Sequence, residues 1–231
     1  MLPAPVQQAI DALVAEGGRG RPVVFDADGT LWRGDVGEDL LRLLGQRRLL
    51  GAASDGVFAR YEQLLKRDPS AAYAFAVEVL AGFAEAELQR VCDDFFAERY
   101  AGRVFRFVRP LLARLTHAGL TPWICSASPR WAVLPGARAL GIEPAHVIGV
   151  TCAVEDGVLT GRVDQPVTCG PGKVTWLERH GVQPVLAFGN GDLDVDMLAA
   201  AARAVVVAPL DGPDNALVAE AKRRGWPVLR A

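Results

Sequence analysis

The feature that most constrains this chain is the stretch Val23-Val24-Phe25-Asp26-Ala27-Asp28-Gly29-Thr30-Leu31-Trp32. An apolar run that stops at Asp-x-Asp-Gly-Thr reads as a buried parallel strand ending in a polar loop. Gly29 lets the chain turn where a side chain would obstruct it. Asp26 and Asp28 alternate along extended backbone, and a turn beginning at Gly29 can bring both carboxyl groups to the strand's C-terminal end. In open α/β sheets ligands bind at that end. Two carboxylates so close repel, and one holds a proton near neutrality unless a cation lies between them. The stretch therefore offers a nucleophile, an acid/base and half a metal site.

A chain of 231 residues suits one α/β domain, or one domain carrying an insertion. It is long enough to bury a sizeable core without staples. With 51% hydrophobic residues and a net charge of -2, neither disorder nor a surface for polyanions is indicated, so nucleic acid is not an expected partner. Cys92, Cys125, Cys152 and Cys169 show no metal-binding spacing, and Cys125 lies in an apolar run that suits a core position. Asp11 and Glu16 interrupt the first eighteen residues, and no apolar stretch approaches the length of a membrane span. The expectation is a cytoplasmic protein without a membrane partner; oligomeric state is not legible.

Apolar residues at Val6, Ile10, Leu13 and Val14 mark an opening helix that Gly17-Gly18 ends. From Asp35 to Arg103 strand signals nearly vanish. Leu40, Leu41, Leu43 and Leu44, then Val57, Tyr61 and Leu64, then Tyr73, Val77 and Leu80, then Leu88, Val91 and Phe95 form helical stripes. Asp68-Pro69-Ser70 and Ala84-Glu85-Ala86-Glu87 read as helix starts, with proline and acids at tolerated first-turn positions. About four helices are expected between the first strand and the rest of the sheet. Beyond residue 108, helices over 109–118, 129–140 and from 172 alternate with strands over 121–125, 147–150, 185–188 and 205–207. Asp156-Gly157 turns a hairpin within 154–159. Such alternation implies an α/β fold with a doubly wound parallel sheet.

Three later stretches carry chemistry. Ser126, in Ile124-Cys125-Ser126-Ala127-Ser128-Pro129, puts a hydroxyl where a strand meets a helix N-terminus and an anion can bind; Ser128 before Pro129 reads as that helix's cap. Lys173 opens a helix after Cys169-Gly170-Pro171-Gly172, a position unfavourable to a cation unless an anion lies near. The spacing is not that of a P-loop. Phe188-Gly189-Asn190-Gly191-Asp192-Leu193-Asp194-Val195-Asp196 gathers oxygen-bearing side chains after a buried strand, which suits a hard cation such as magnesium.

Together these stretches resemble, in order, the four motifs of the haloacid dehalogenase-like superfamily. The helical segment after the first motif is similar to the cap of its phosphoserine-phosphatase-like branch. The resemblance implies a Rossmann-like core over 1–34 and 104–231 with an α-helical cap inserted over 35–103. It also implies a Mg2+-dependent phosphatase acting on a small phosphorylated molecule. Asp26 would be the nucleophile, Asp28 the acid/base, and Lys173 and Ser126 catalytic partners. Ser126, Ala127, Lys173 and Asp35 would meet the substrate; Asp26, Asp28, Asn190 and Asp194 would hold the metal. Asn190 departs from the family's usual acid, and a shifted register would use Asp192 in its place. Asp35 stands nine residues after Asp26, where phosphoserine phosphatases carry a glutamate for the substrate ammonium. Their carboxylate-binding arginine falls near Ala76, and no Lys or Arg occurs over 69–89, which counts against phosphoserine itself. Two alternatives stand: a non-catalytic phosphate- or protein-binding module, motivated by Asn190, and a dehalogenase, in which Asp28 and the metal cluster would have no task.

Overall fold

The computed structural model describes residues 2–17, 19–211 and 213–231. Helix α1 (Ala4–Glu16) leads to β1 (Pro22–Phe25). It stops at Gly17; the other glycine of the expected stop, Gly18, lies outside the described residues. Four helices follow: α2 (Val36–Gln46), α3 (Val57–Leu65), α4 (Pro69–Glu78) and α5 (Glu85–Arg99). Alternation then begins with α6 (Val108–His117), β2 (Thr121–Pro129), α7 (Arg130–Ala139) and β3 (Val147–Val150). A hairpin of β4 (Cys152–Glu155) and β5 (Val158–Val163) intervenes. The chain closes with α8 (Pro171–Arg179), β6 (Leu186–Gly189), α9 (Val195–Ala200), β7 (Ala204–Ala208), α10 (Ala216–Arg224) and β8 (Val228–Arg230).

Six strands form one sheet in the order β3-β2-β1-β6-β7-β8, and every pairing in it is parallel. Parallel strands must be covered on both faces, and the pleat sends alternate side chains to each. Val23 and Phe25 face one apolar layer, with Leu186, Phe188, Val205 and Val207 beside them and α1 and α6 above. Val24 faces the other, with Ala187, Val206, Leu177, Met197 and Leu217. Phe25 and Phe188 stack at 4.6 Å across β1 and β6, and fully burying each ring contributes about 1.5–3 kcal/mol.

The chain winds outward from β1 through β2 and β3, then returns to the far side of β1 as β6. The loops leaving β1 and β6 part at this reversal, where a crevice opens at the strands' C-terminal ends. The doubly wound α/β sheet expected from the alternation is therefore present.

The helices between β1 and α6 begin with local chemistry. Asp35 caps α2 by accepting the Glu38 N–H at 2.8 Å, and Asp68 caps α4 by accepting that of Ala71. Their inner faces, including Leu40, Leu44, Val77, Leu88 and Phe96, join the apolar layer that also holds Val23 and Phe25. The hairpin turns at Asp156 and Gly157, both at positive φ as a two-residue turn requires. It pairs with the chain between α4 and α5, since Gly82 N–H meets the Leu159 carbonyl and Glu85 N–H that of Gly157, each at 2.8 Å. Strand β2 runs on to Pro129, past its expected end at residue 125, and α10 and β8 were not expected at all. Among the described residues no helix is long and apolar enough to cross a membrane.

Candidate active site

Asp26 follows the last residue of β1 and is buried, its N–H bonded to the Phe188 carbonyl at 2.9 Å. Gly29 at φ 74° reverses the chain, and a Cβ there would lie 2.8 Å from Asn190 Cγ, so only glycine fits the turn. Thr30 Oγ1 reaches back to Asp26 Oδ2 at 3.2 Å. Lys173, in the first turn of α8, is fully buried. Its Nζ donates to Asp26 Oδ1 at 2.7 Å and to Asp194 Oδ1 at 2.6 Å. The anions that its position called for are thus two carboxylates of the chain itself.

Charge balance follows from this cluster. Burial depresses the Lys173 ammonium, but Asp194 and Asp26 outweigh it and hold the group charged, above its ordinary range. Burial raises Asp26, the Asp194 charge adds to that, and Lys173 opposes both, leaving Asp26 at about 7. Two oxygens of Asp194 serve different ends: Oδ2 accepts the N–H groups of Asn190 and Gly191 at 2.9 and 3.0 Å, so the carboxylate ties the β6 loop to Lys173.

Asp28 points elsewhere. Its Oδ1 accepts the Trp32 indole N–H at 2.7 Å and the Val36 N–H at 2.8 Å, while Ser128 Oγ donates to Oδ2 at 2.6 Å. Burial and the nearby Asp35 charge raise Asp28 to about 7, against the three hydrogen bonds. Ser128 does not cap α7 as expected, because the strand conformation continues through Pro129, which takes the cap position. Ser126 is buried, and its Oγ accepts the Ser128 N–H at 3.1 Å.

The four residues expected to hold a metal do not meet as four side chains. Asp28 joins the group only through its carbonyl oxygen, and both oxygens of Asp194 are engaged by Lys173 and the loop. Among the described residues no three His, Cys, Asp or Glu side chains cluster as a metal site. Asn190 is what bridges the remaining donors. Pairing donors with acceptors turns its amide nitrogen toward the Asp28 carbonyl at 2.9 Å, Asp26 Oδ2 at 3.1 Å and Thr30 Oγ1 at 3.1 Å. Half a turn of that amide brings its oxygen to the same point, so a carboxylate, a carbonyl and an amide oxygen converge. Hard oxygen donors of this kind fit magnesium. Asp192 is exposed and lines the same cleft.

A cleft of about 230 Å³ opens above these groups. Asp26, Asp28, Ser126, Ala127, Lys173 and Asn190 line it from the sheet side, Asp35 from the start of α2 and Tyr73 from α4. Asp35 is the α2 cap and also faces the cleft; burial and the charges of Glu38, Asp26 and Asp39 raise it to about 7. Sequence reasoning missed Thr30, Trp32, Tyr73 and Ser128. Thr30 and Trp32 lie in the opening stretch, which was the available signal; nothing in the spacing marks Ser128 or Tyr73.

The family model of haloacid dehalogenase-like hydrolases matches residues 23–199. A probable phosphatase of Mycobacterium tuberculosis is 32% identical over 156 residues, covering 64% of this chain and 52% of that protein. A phosphoserine phosphatase of the same organism is 30% identical over 191 residues, covering 78% of this chain and 42% of that protein. The chain therefore spans about half the length of these curated relatives. A solved protein of unknown function from Bordetella pertussis Tohama I shares the fold, with a TM-score of 0.78 at 23% identity, covering 91% of this chain and 98% of that one.

Proposed function

Because the chain belongs to the haloacid dehalogenase-like hydrolase family, we propose that it is a magnesium-dependent phosphatase that hydrolyses a small phosphomonoester through an aspartyl-phosphate on Asp26. The observation that carries this reading is Asp26 itself: a buried carboxylate held by Lys173 at 2.7 Å, at the floor of the cleft, with a second acid two residues along. In the first half-reaction an Asp26 oxygen bonds to phosphorus and the bond from phosphorus to the alcohol oxygen breaks. The departing oxygen keeps the electron pair and takes a proton from Asp28. In the second half-reaction a water oxygen bonds to phosphorus, Asp26 leaves as carboxylate, and Asp28 takes the water's proton. Lys173 and the Ser126 hydroxyl offset charge on the transferring oxygens. Magnesium held by Asp26, the Asp28 carbonyl and Asn190 would supply the larger share of that positive charge.

The cleft also bears on the alcohol. Lys173 is the one cation among the described lining residues, and its ammonium sits at Asp26, where it would serve the phosphoryl group and not a second anion. A substrate carboxylate would find no partner there, so the proposed alcohol is small and carries no anionic group, unlike phosphoserine. The helical segment over 35–103, acting as a cap, would exclude bulk water and select the alcohol through Asp35 and Tyr73. A cytoplasmic setting accords with four free, buried cysteines.

Turnover of an aryl phosphate with magnesium and with a chelator tests the reading. Release of phosphate that requires magnesium is expected. Stoichiometric phosphate binding without turnover under either condition would instead favour the non-catalytic module, to which the neutral Asn190 points.

A further inference from the structure

Asp28 has both carboxylate oxygens engaged, and by donors of different kinds. Oδ1 accepts two N–H groups, from the Trp32 indole at 2.7 Å and from Val36 at 2.8 Å. Neither nitrogen can accept a proton in return. Oδ2 faces the Ser128 hydroxyl at 2.6 Å, and a hydroxyl both donates and accepts. A proton carried by Asp28 therefore resides on Oδ2, while Oδ1 stays locked as an acceptor.

The supports are themselves fixed. Trp32 is fully buried, with its ring edge-on to Phe96 of α5 at 5.2 Å. Gly136 of α7 lies against it so closely that a Cβ would come within 2.5 Å of the indole. On the other side, a Cβ at Gly37 of α2 would lie 2.7 Å from Ser128 Oγ. The indole and the hydroxyl thus sit in spaces cleared by missing side chains. Holding a reacting group in a single geometry is worth orders of magnitude in rate.

We propose that Trp32 and Ser128 are positioning residues for the catalytic acid, fixing Asp28 so that Oδ2 is the oxygen that delivers the proton to the leaving alcohol. The inference rests on the phosphatase reading above. In the step concerned, the bond from phosphorus to the alcohol oxygen breaks, its electron pair stays on that oxygen, and the proton from Oδ2 completes the alcohol. Asp28 is left as a carboxylate with three donors already aimed at it, and such bonds strengthen once the acceptor is charged.

A role confined to holding the loop would slow all substrates alike, whereas loss of acid catalysis depends on the leaving group. The test uses Trp32→Phe, which keeps an aromatic ring while removing the N–H and part of the indole's volume, and Ser128→Ala, a small change that keeps the backbone. The rate of alcohol release in the first turnover is measured for wild type and both variants, on an alkyl phosphate and on nitrophenyl phosphate. Nitrophenolate leaves readily without a proton; an alkoxide does not. The ratio of the nitrophenyl to the alkyl rate is expected to rise about ten- to a hundredfold in each variant, a part of the factor typical of general acid catalysis. Equal slowing of both esters, or an unchanged ratio in both variants, overturns the proposal. Failure of the wild-type protein to turn over either ester would overturn the phosphatase reading, and this inference with it.

Discussion

Asp26 and Asp28 leave the same strand two residues apart, yet they occupy opposite chemical settings. Asp26 meets a buried ammonium from α8; Asp28 meets three neutral donors, from Trp32, the start of α2 and the end of β2. The Lys173 ammonium at bonding distance opposes the rise that burial and Asp194 impose on Asp26, which suits the nucleophile proposed. The indole and the amide can only donate, while the Ser128 hydroxyl can also accept, so a proton on Asp28 Oδ2 keeps a partner. The two identical side chains thus meet different neighbours because the chain leaves β1 after Phe25 and reverses at Gly29, an arrangement that suits the two roles proposed for them.

The sharpest way to break this comparison is to neutralise each acid in turn. Asp26→Asn should abolish steady-state turnover, because an amide cannot form the covalent bond. Asp28→Asn should slow turnover by about 10²–10⁴-fold and leave a measurable residue. Equal residual rates in the two folded variants would contradict the division of roles.

The same pair can be compared by stability. Removing the ammonium in Lys173→Met leaves Asp26 and Asp194 facing each other in the interior, which should cost about 3–5 kcal/mol. Asp28→Asn leaves neutral donors around a neutral group and should cost much less. Urea unfolding of the two variants checks the order; a Lys173→Met variant as stable as Asp28→Asn would show that the buried pair is not needed to hold Asp26.

Asn190 sharpens the comparison on the metal side. An amide brings an oxygen without charge, so Asn190→Asp should tighten magnesium binding by about tenfold as read by calorimetry. If Asn190→Asp leaves the affinity unchanged while Asp192→Ala weakens it, the loop uses the shifted register and Asn190 is only a loop residue.

The smallest effect concerns Asp35, which caps α2 and faces the cleft. Asp35→Ala should cost about 1 kcal/mol through the lost cap, a fall of about 2–4 °C in Tm. Asp35→Asn keeps a capping oxygen and should retain most of that. Equal losses in both would assign the stability to charge and not to the cap.

Much of this is legible in the sequence. The apolar run into Asp-x-Asp-Gly-Thr specified β1 and its loop, and Asp156-Gly157 specified the hairpin, because both depend on chemistry between neighbours. Lys173 announced an anion by standing where a helix repels cations. What escaped depends on distance along the chain. Ser128 read as a cap because proline follows it, but the strand continues through Pro129, and the hydroxyl turns to Asp28, a hundred positions away. Strand β8 is three residues long after Trp226-Pro227, too short for a period to register. The bridging amide of Asn190 was visible as a departure from the usual acid, but its partners come from the β1 loop and are set by the sheet.

The most direct test is to quench the reaction rapidly with a phosphate-labelled ester and map the label. A covalent phosphoryl group on the peptide that carries Asp26, released by hydroxylamine and absent from Asp26→Asn, is the predicted result. Turnover with no label on that peptide, or label retained in Asp26→Asn, would contradict it.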